Sequence, residues 1–276
     1  VSSSIAVISG SNNFGDATDD HHSFTGSLSV SSSLSVTGSL TLNSLSLTGA
    51  GISLSNNDAG TSNTIFGKSA GVSLDAGSNQ NVFIGENVSD AAMNDAGENT
   101  GVGYEALSAL TTGDENTAIG RGAGAAITTG GLNTAVGKYA LNDVNTGGNN
   151  VAVGRNSGAA ITTSSGSVFI GKDAGAVSVT GNQNIGIGLT ALGGAATTGD
   201  NNIAIGANAG DAITSTYGAV LIGKDAGTAL TTGGRNTAIG YETLTTAVGL
   251  THNIAIGWQA MKDSSAATSH RNIAIG

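Results

Sequence analysis

The stretch from Asn116 to Leu141, NTAIGRGAGAAITTGGLNTAVGKYAL, states one phrase twice: NTAIG opens at Asn116 and NTAVG at Asn133, seventeen residues later. A fixed period of this length is the signature of a repeat architecture. Thirteen copies of the phrase run along the chain, beginning at residues 63, 81, 99, 116, 133, 150, 167, 184, 202, 219, 236, 253 and 272. Their spacing is 17 residues in most intervals, 18 in three and 19 in the last. The first position is Asn in eleven copies, with Ser167 and Ala219 the exceptions. The second is always Thr, Val or Ile, the fourth always Ile, Val or Phe, and the fifth always Gly.

β-branched residues two apart share one face of a strand. The Gly that follows can take a positive φ or let another backbone pass close by. After it comes a run of small residues, as in GKDAGTALTTGG (223–234). This run supplies either a second strand or a single helical turn, then a Thr-Gly turn; Ala106 and Leu107 with Leu110 have helical spacing. Seventeen residues thus make one coil of a solenoid whose neighbours stack by strand pairing. Twelve steps of about 4.7–4.9 Å give a stack roughly 55–60 Å long. The expected fold is an all-β, parallel β-solenoid of about 13 coils of 17–18 residues.

The third motif position is Ala in seven copies, Gly at 101 and 186, and otherwise Ile65, Phe83, Phe169 and Leu221. It is never polar, although it faces opposite to positions two and four. A strand apolar on both faces is buried on both faces. One face is the interior of the coil; the mostly Ala and Gly face is expected to lie against a second copy of the chain, which places Ala204, Ala238 and Ala255 at a subunit interface.

The first quarter follows another rule. GSLSVSSSLSVTGSLTLNSLSLTG (26–49) alternates apolar residues with Ser or Thr at a six-residue beat. Each beat reads as a short half-buried strand followed by a polar turn, too short to stand alone in water and stable only if several chains wind together. The expected organisation is an irregular junction over 1–25, a β-rich stem over 26–55 and the solenoid over 56–276. The solenoid ends in mid-repeat at RNIAIG without the polar cap a repeat array needs, so the chain is expected to belong to a longer product.

Composition limits what such a solenoid does. Gly is 45 of 276 residues and only 10% are charged, against roughly 7% Gly and 25% charged in an average domain. Few bulky side chains remain to wall an enzyme pocket. The net charge is −10, from 19 Asp and Glu against 9 Lys and Arg, and no basic run or aromatic stripe stands out along the chain. Nucleic acid is therefore not an expected partner. Without Cys there is no disulfide framework or thiolate metal site, and no run of 18 apolar residues appears, so membrane insertion is not expected. No cofactor, catalytic or metal residue is assigned.

Several local motifs dissolve when set beside their repeats. GKSAG (67–71) matches the G-x-S-x-G of a serine hydrolase, but the same slot reads GRGAG, GANAG and GKDAG in other coils, so Ser69 is one option at a tolerant position. Asp19, Asp20, His21 and His22 offer ligands, and one imidazole per chain could converge on an axial metal in a trimer; a solvated junction loop is the simpler reading and the one expected. The recurrent TTG turns invite comparison with ice-binding Thr ladders, yet adjacent Thr hydroxyls face opposite ways and turn chemistry accounts for them better. The carboxylates fall at scattered coil positions with no fixed pair for glycoside hydrolysis, as a polysaccharide-depolymerising tailspike would need.

The N-T-A-I-G-x-x-A-G/L-x-x-x-x-T-T-G coil resembles the heads of trimeric autotransporter adhesins (YadA-like, N-S-V-A-I-G). It is closer to the head-like repeats of bacteriophage tail fibres, and DDHHSFTGSLSVSSSLSVTGSLTL (19–42) resembles their stems. The resemblance covers residues 19–276. It implies a homotrimeric, left-handed β-roll on an intertwined stem, carried on the virion and binding a glycan or protein of the host surface without catalysis, with other tail proteins as partners. The alternative it implies is the head of a bacterial adhesin at the cell surface.

Overall fold

The computed structural model describes residues 60–178, 180–246, 248–264 and 270–276. The expected junction, the stem and the Asp19–His22 cluster lie outside the described residues. The thirteen motif copies form thirteen three-residue strands, β1 (Thr64–Phe66) through β13 (Ile273–Ile275), which pair in chain order as one parallel sheet. Like motif positions align: Thr117, Ala118 and Ile119 pair with Thr134, Ala135 and Val136. The chain is an all-β parallel solenoid, and the described residues contain no helix.

The second half of each coil is neither a strand nor a helical turn. It is a stack of open turns. The Leu110 N–H donates to the Leu107 carbonyl at 3.0 Å, but Leu107 itself has φ 53°, a left-handed conformation that ends any helix. Positions seven and nine take positive φ in all twelve full coils, as at Glu105 and Leu107, Gly122 and Gly124, Tyr139 and Leu141. These turns are tied coil to coil through the backbone: Leu107 N–H to Ala123 O at 3.0 Å, Gly124 N–H to Ala140 O at 2.9 Å, Leu141 N–H to Ser157 O at 3.0 Å.

The two faces of the strands are the reverse of the sequence expectation. The third position lies inside the coil: Ala118, Ala152, Ala204, Ala238 and Ala255 are fully buried within one chain. Positions two and four face outward, as in the strand Val151–Val153, whose middle residue alone is buried. The reason is the width of the interior. Phe169 fills it only because Gly lies on three sides; a Cβ at Gly175 would stand 2.3 Å from the ring, at Gly186 3.0 Å and at Gly158 3.3 Å. Position nine gives way in the same manner: each Leu there is preceded in the previous coil by a small residue, Ser89 or a Gly. Leu141 is fully buried, and in the next coil Gly158 leaves it room, since a Cβ there would sit 2.9 Å from Leu141 Cδ2. Where the turns bury two large side chains, as Leu107 with Leu110 and Leu141 with Val144, the strand contributes only Gly101 or Ala135 to the interior.

Close stacking also explains the fifth-position Gly. Gly120 and Gly154 both have φ 134°, and a Cβ would approach the carbonyl oxygen of the same Gly one coil on to 2.7 Å and 2.5 Å. Only Gly populates that backbone region readily, and only Gly clears the neighbour.

The first-position Asn does two jobs. Its Oδ1 accepts the backbone N–H of the Asn one coil on, for example Asn116 to Asn99 at 2.9 Å and Asn150 to Asn133 at 3.0 Å. Its Nδ2 donates across the coil to a carbonyl at the coil's own end, as Asn116 to Gly130 O and Asn133 to Gly147 O, both at 2.9 Å. Ser167 continues the ladder, its Oγ accepting the Asn184 N–H at 3.2 Å. Ala219 offers no side-chain acceptor to Asn236.

A buried donor left without a partner costs about 1–3 kcal/mol. Asn133→Ala strips the acceptor from the Asn150 N–H and the clamp from Gly147 O, and is expected to lower stability by about 2–4 kcal/mol. Ala219→Asn restores the missing rung and is expected to add about 1 kcal/mol. Denaturant unfolding of the two variants checks both signs.

Candidate interaction surfaces

Thirteen in-register strands project their outward residues as two columns. The fourth position gives Phe66, Ile84, Ile119, Val153 and Ile170, at 65%, 39%, 42%, 37% and 38% exposure, with half-buried Val or Ile residues between them; the second position adds half-buried Thr, Val and Ile beside them. Two residues on one strand face are about 7 Å apart, and twelve steps span roughly 55–60 Å, so the apolar strip covers on the order of 400 Å². Contiguous apolar surface of that size falls within the about 300–600 Å² of the largest patch on a typical monomer, a patch that is often functional.

A second set of columns follows the fifth-position Gly. The sixth position is exposed in nearly every coil and reads, from Lys68 onward, Glu86, Tyr104, Arg121, Lys138, Arg155, Lys172, Leu189, Ala207, Lys224, Tyr241 and Trp258. Six of the nine Lys and Arg residues of the chain fall in this one column. The absence of a basic patch, read along the linear sequence, is corrected by the fold: stacking collects residues 17 apart into an unbroken line of four cations. That signal was present in the sequence, but only when it is written one coil per row.

Stacking gathers carboxylates too, where the sequence showed only scatter. Glu98 and Glu115 both precede the motif Asn, one coil apart, and with Asp95 and Asp114 they rim a shallow hollow of about 260 Å³. Asp114 Oδ1 already accepts the Gly97 N–H at 2.8 Å. A second hollow of about 380 Å³ is lined by Asn149, Ser165, Gly166, Asn182 and Gln183.

Ser69 is exposed at the left-handed seventh position, φ 58°. The described histidines lie at the far end of the solenoid: His252 contacts Arg235 at 3.3 Å and His270 contacts Thr251 at 2.7 Å. Among the described residues no imidazole stands beside Ser69. In the TTG turns the first Thr gives its hydroxyl to the next coil, Thr111 to Thr128 O at 3.0 Å and Thr231 to Val248 O at 3.2 Å. Among the described residues, no group of three or more His, Cys, Asp or Glu is placed to hold a metal ion, and no helix is long and apolar enough to cross a membrane. No family model matches this chain, and neither a curated protein nor a solved structure shows significant similarity to it.

The sharpest electrostatic feature is a clasp between the last coils. Glu242 accepts hydrogen bonds from Lys262 and from Gln259 Nε2, the latter at 2.8 Å. The Lys262 ammonium first, then Tyr241 and Gln259, hold the Glu242 carboxyl down at about 2, well below its usual 4.5. A carboxylate with a depressed folded pKa gives its full contribution above the unfolded value and loses it as pH falls through the folded one. The clasp is therefore expected to be intact above pH 4.5 and to open as pH falls toward 2. The Glu242 carboxyl resonance, followed by NMR, should titrate near 2, and Lys262→Met should move its midpoint upward toward 4.5.

Proposed function

We propose that the chain is part of a homotrimeric attachment fibre of a virus particle, a phage tail fibre whose left-handed solenoid binds a host-surface receptor without chemistry. The observation that carries this reading is the outward strip of Ile, Val, Phe and Thr along all thirteen strands. Its fourth-position residues stay exposed or half-buried among the described residues, and threefold packing of strip against strip would remove it from water. The resemblance of the N-T-A-I-G coils to tail-fibre repeats supports both the trimer and the role. Surface turns held at one spacing on three chains turn weak contacts into avidity. A stack joined by backbone hydrogen bonds along its length is suited to a stiff support for them.

The reversed faces change the test of the trimer. Ile119→Glu/Val153→Glu places two charges per chain on the outward strip. In a trimer they would be buried without partners, at several kcal/mol each, and the particle should fall apart into folded single chains. On a monomer the same changes are surface substitutions, within about 0.5 kcal/mol. Ala204→Glu, by contrast, puts a carboxylate inside the coil and should unfold that region whatever the assembly. Light scattering of the parent should give three chains per particle. A monomeric parent, or a double variant as trimeric as the parent, sinks this reading.

A further inference from the structure

The sixth-position column holds Arg121, Lys138, Arg155 and Lys172 in four consecutive coils, all exposed. At about 4.7–4.9 Å per coil, four cations in line span roughly 14 Å. Like charges placed directly opposite on neighbouring strands repel, and the position does not demand them: the coils before carry Glu86 and Tyr104, those after Leu189 and Ala207. Elsewhere in the column the charge is answered, Lys68 by Glu86 and Lys224 by Asp225. Within the run Lys172 meets Asp173 at 3.2 Å, whereas Arg121, Lys138 and Arg155 form no ion pair with a carboxylate of the described residues. In a chain with 19 acids and 9 bases, three successive exposed cations without a direct ion pair, of which Arg155 acts on Asp173 only at a distance, leave a line of positive charge open to an outside anion.

The run is also held in place. The Arg121 guanidinium lies over two rings, 5.4 Å from the centre of Tyr104 and 5.8 Å from that of Tyr139, and the Lys138 ammonium is 4.9 Å from the centre of Tyr139. Such contacts orient a cation while leaving its charge free, and a guanidinium so fixed keeps its donors for a carboxylate or sulfate.

We propose that this column binds a linear acidic polysaccharide laid along the stacking direction, with carboxylate or sulfate groups of successive sugars meeting successive coils. The ligand is a single line of anions because the site is a single line of cations. Duplex DNA presents one charge per roughly 1.7 Å of axis and needs a broad basic face, which a chain of net charge −10 does not offer. Single-stranded nucleic acid needs free aromatic faces for its bases, and here Arg121 and Lys138 already occupy the rings. The proposal gives the attachment reading a receptor class and takes its biological meaning from it, but the site lies on one chain and is tested separately.

The test measures binding of the full chain to short polygalacturonate oligomers by calorimetry at low and at physiological salt, with neutral dextran oligomers and single-stranded oligothymidylate as comparison probes. Polygalacturonate should bind, more weakly as salt rises, and dextran should not. Lys138→Gln/Arg155→Gln should lower the affinity roughly tenfold and flatten its salt dependence, because two contacts that release counterions are lost. Lys224→Gln, in the same column but paired with Asp225, should leave affinity unchanged. Circular dichroism melts of both variants should match the parent, since the residues are exposed. No binding of polygalacturonate at low salt, equal binding of dextran, tighter binding of oligothymidylate, or an equal loss in Lys224→Gln would each overturn the site. A monomeric parent that still binds polygalacturonate keeps the site and removes the fibre; a trimer that adheres to cells equally well with and without Lys138 and Arg155 does the reverse.

Discussion

Everything in this solenoid depends on stacking in register at about 4.8 Å. Each residue has as its nearest neighbours the residues one coil before and one coil after, and its chemistry must suit them before it suits anything else. The fifth position is Gly because a Cβ would strike the carbonyl of the next Gly. The first position is Asn because a buried main-chain N–H recurs there in every coil and the Asn one coil back supplies its acceptor. Where the core takes a Phe, the flanking coils give way with Gly. The departures follow the same rule: Ser167 keeps a weaker acceptor in the ladder, and Ala219 breaks it.

The same register makes the surface a set of columns, and each column answers to a different pressure. The outward strand positions are β-branched Thr, Val or Ile throughout, save for Phe66. The sixth and seventh positions accept Lys, Glu, Tyr, Leu, Ala or Trp, because their side chains leave the stack and need only a backbone that keeps its path. Chemistry on such a scaffold is assembled by aligning one tolerant position over several coils. It is invisible to net charge, which averages the acidic hollow near Glu98 and Glu115 with the cationic line from Arg121 to Lys172.

The period, the strands and the parallel order were all legible in the sequence, because the invariant Gly and the β-branched pair recur at one spacing. The direction in which the strands face was not. Hydrophobicity alone ranks Ile and Val as interior and Ala as indifferent, so the third position read as the outer face. What decides the matter is volume shared with the turns: wherever the turn buries a Leu at position nine (Leu107, Leu141, Leu192, Leu244), the strand has only Gly or Ala at the inward third position (Gly101, Ala135, Gly186, Ala238). The turns were the least legible part. Leu107, Leu141 and Tyr139 take left-handed φ, which no propensity favours for such residues.

Those left-handed residues show what the stack supplies to each coil. Among the described residues 29 that are not glycine have positive φ, each at a cost on the order of 1 kcal/mol, less for Asn and Asp. No single coil bears this alone, since a coil has one three-residue strand and a few apolar side chains. The strain is tolerable because each turn is hydrogen-bonded to the turns before and after it, and because a strained residue such as Leu141 returns more through burial, roughly 1.5–3 kcal/mol, than its backbone loses. The coil conformation is thus a property of the stack. It follows that the backbone under each surface column is as rigid as the array that carries it, while the long side chains it projects keep their own rotamer freedom.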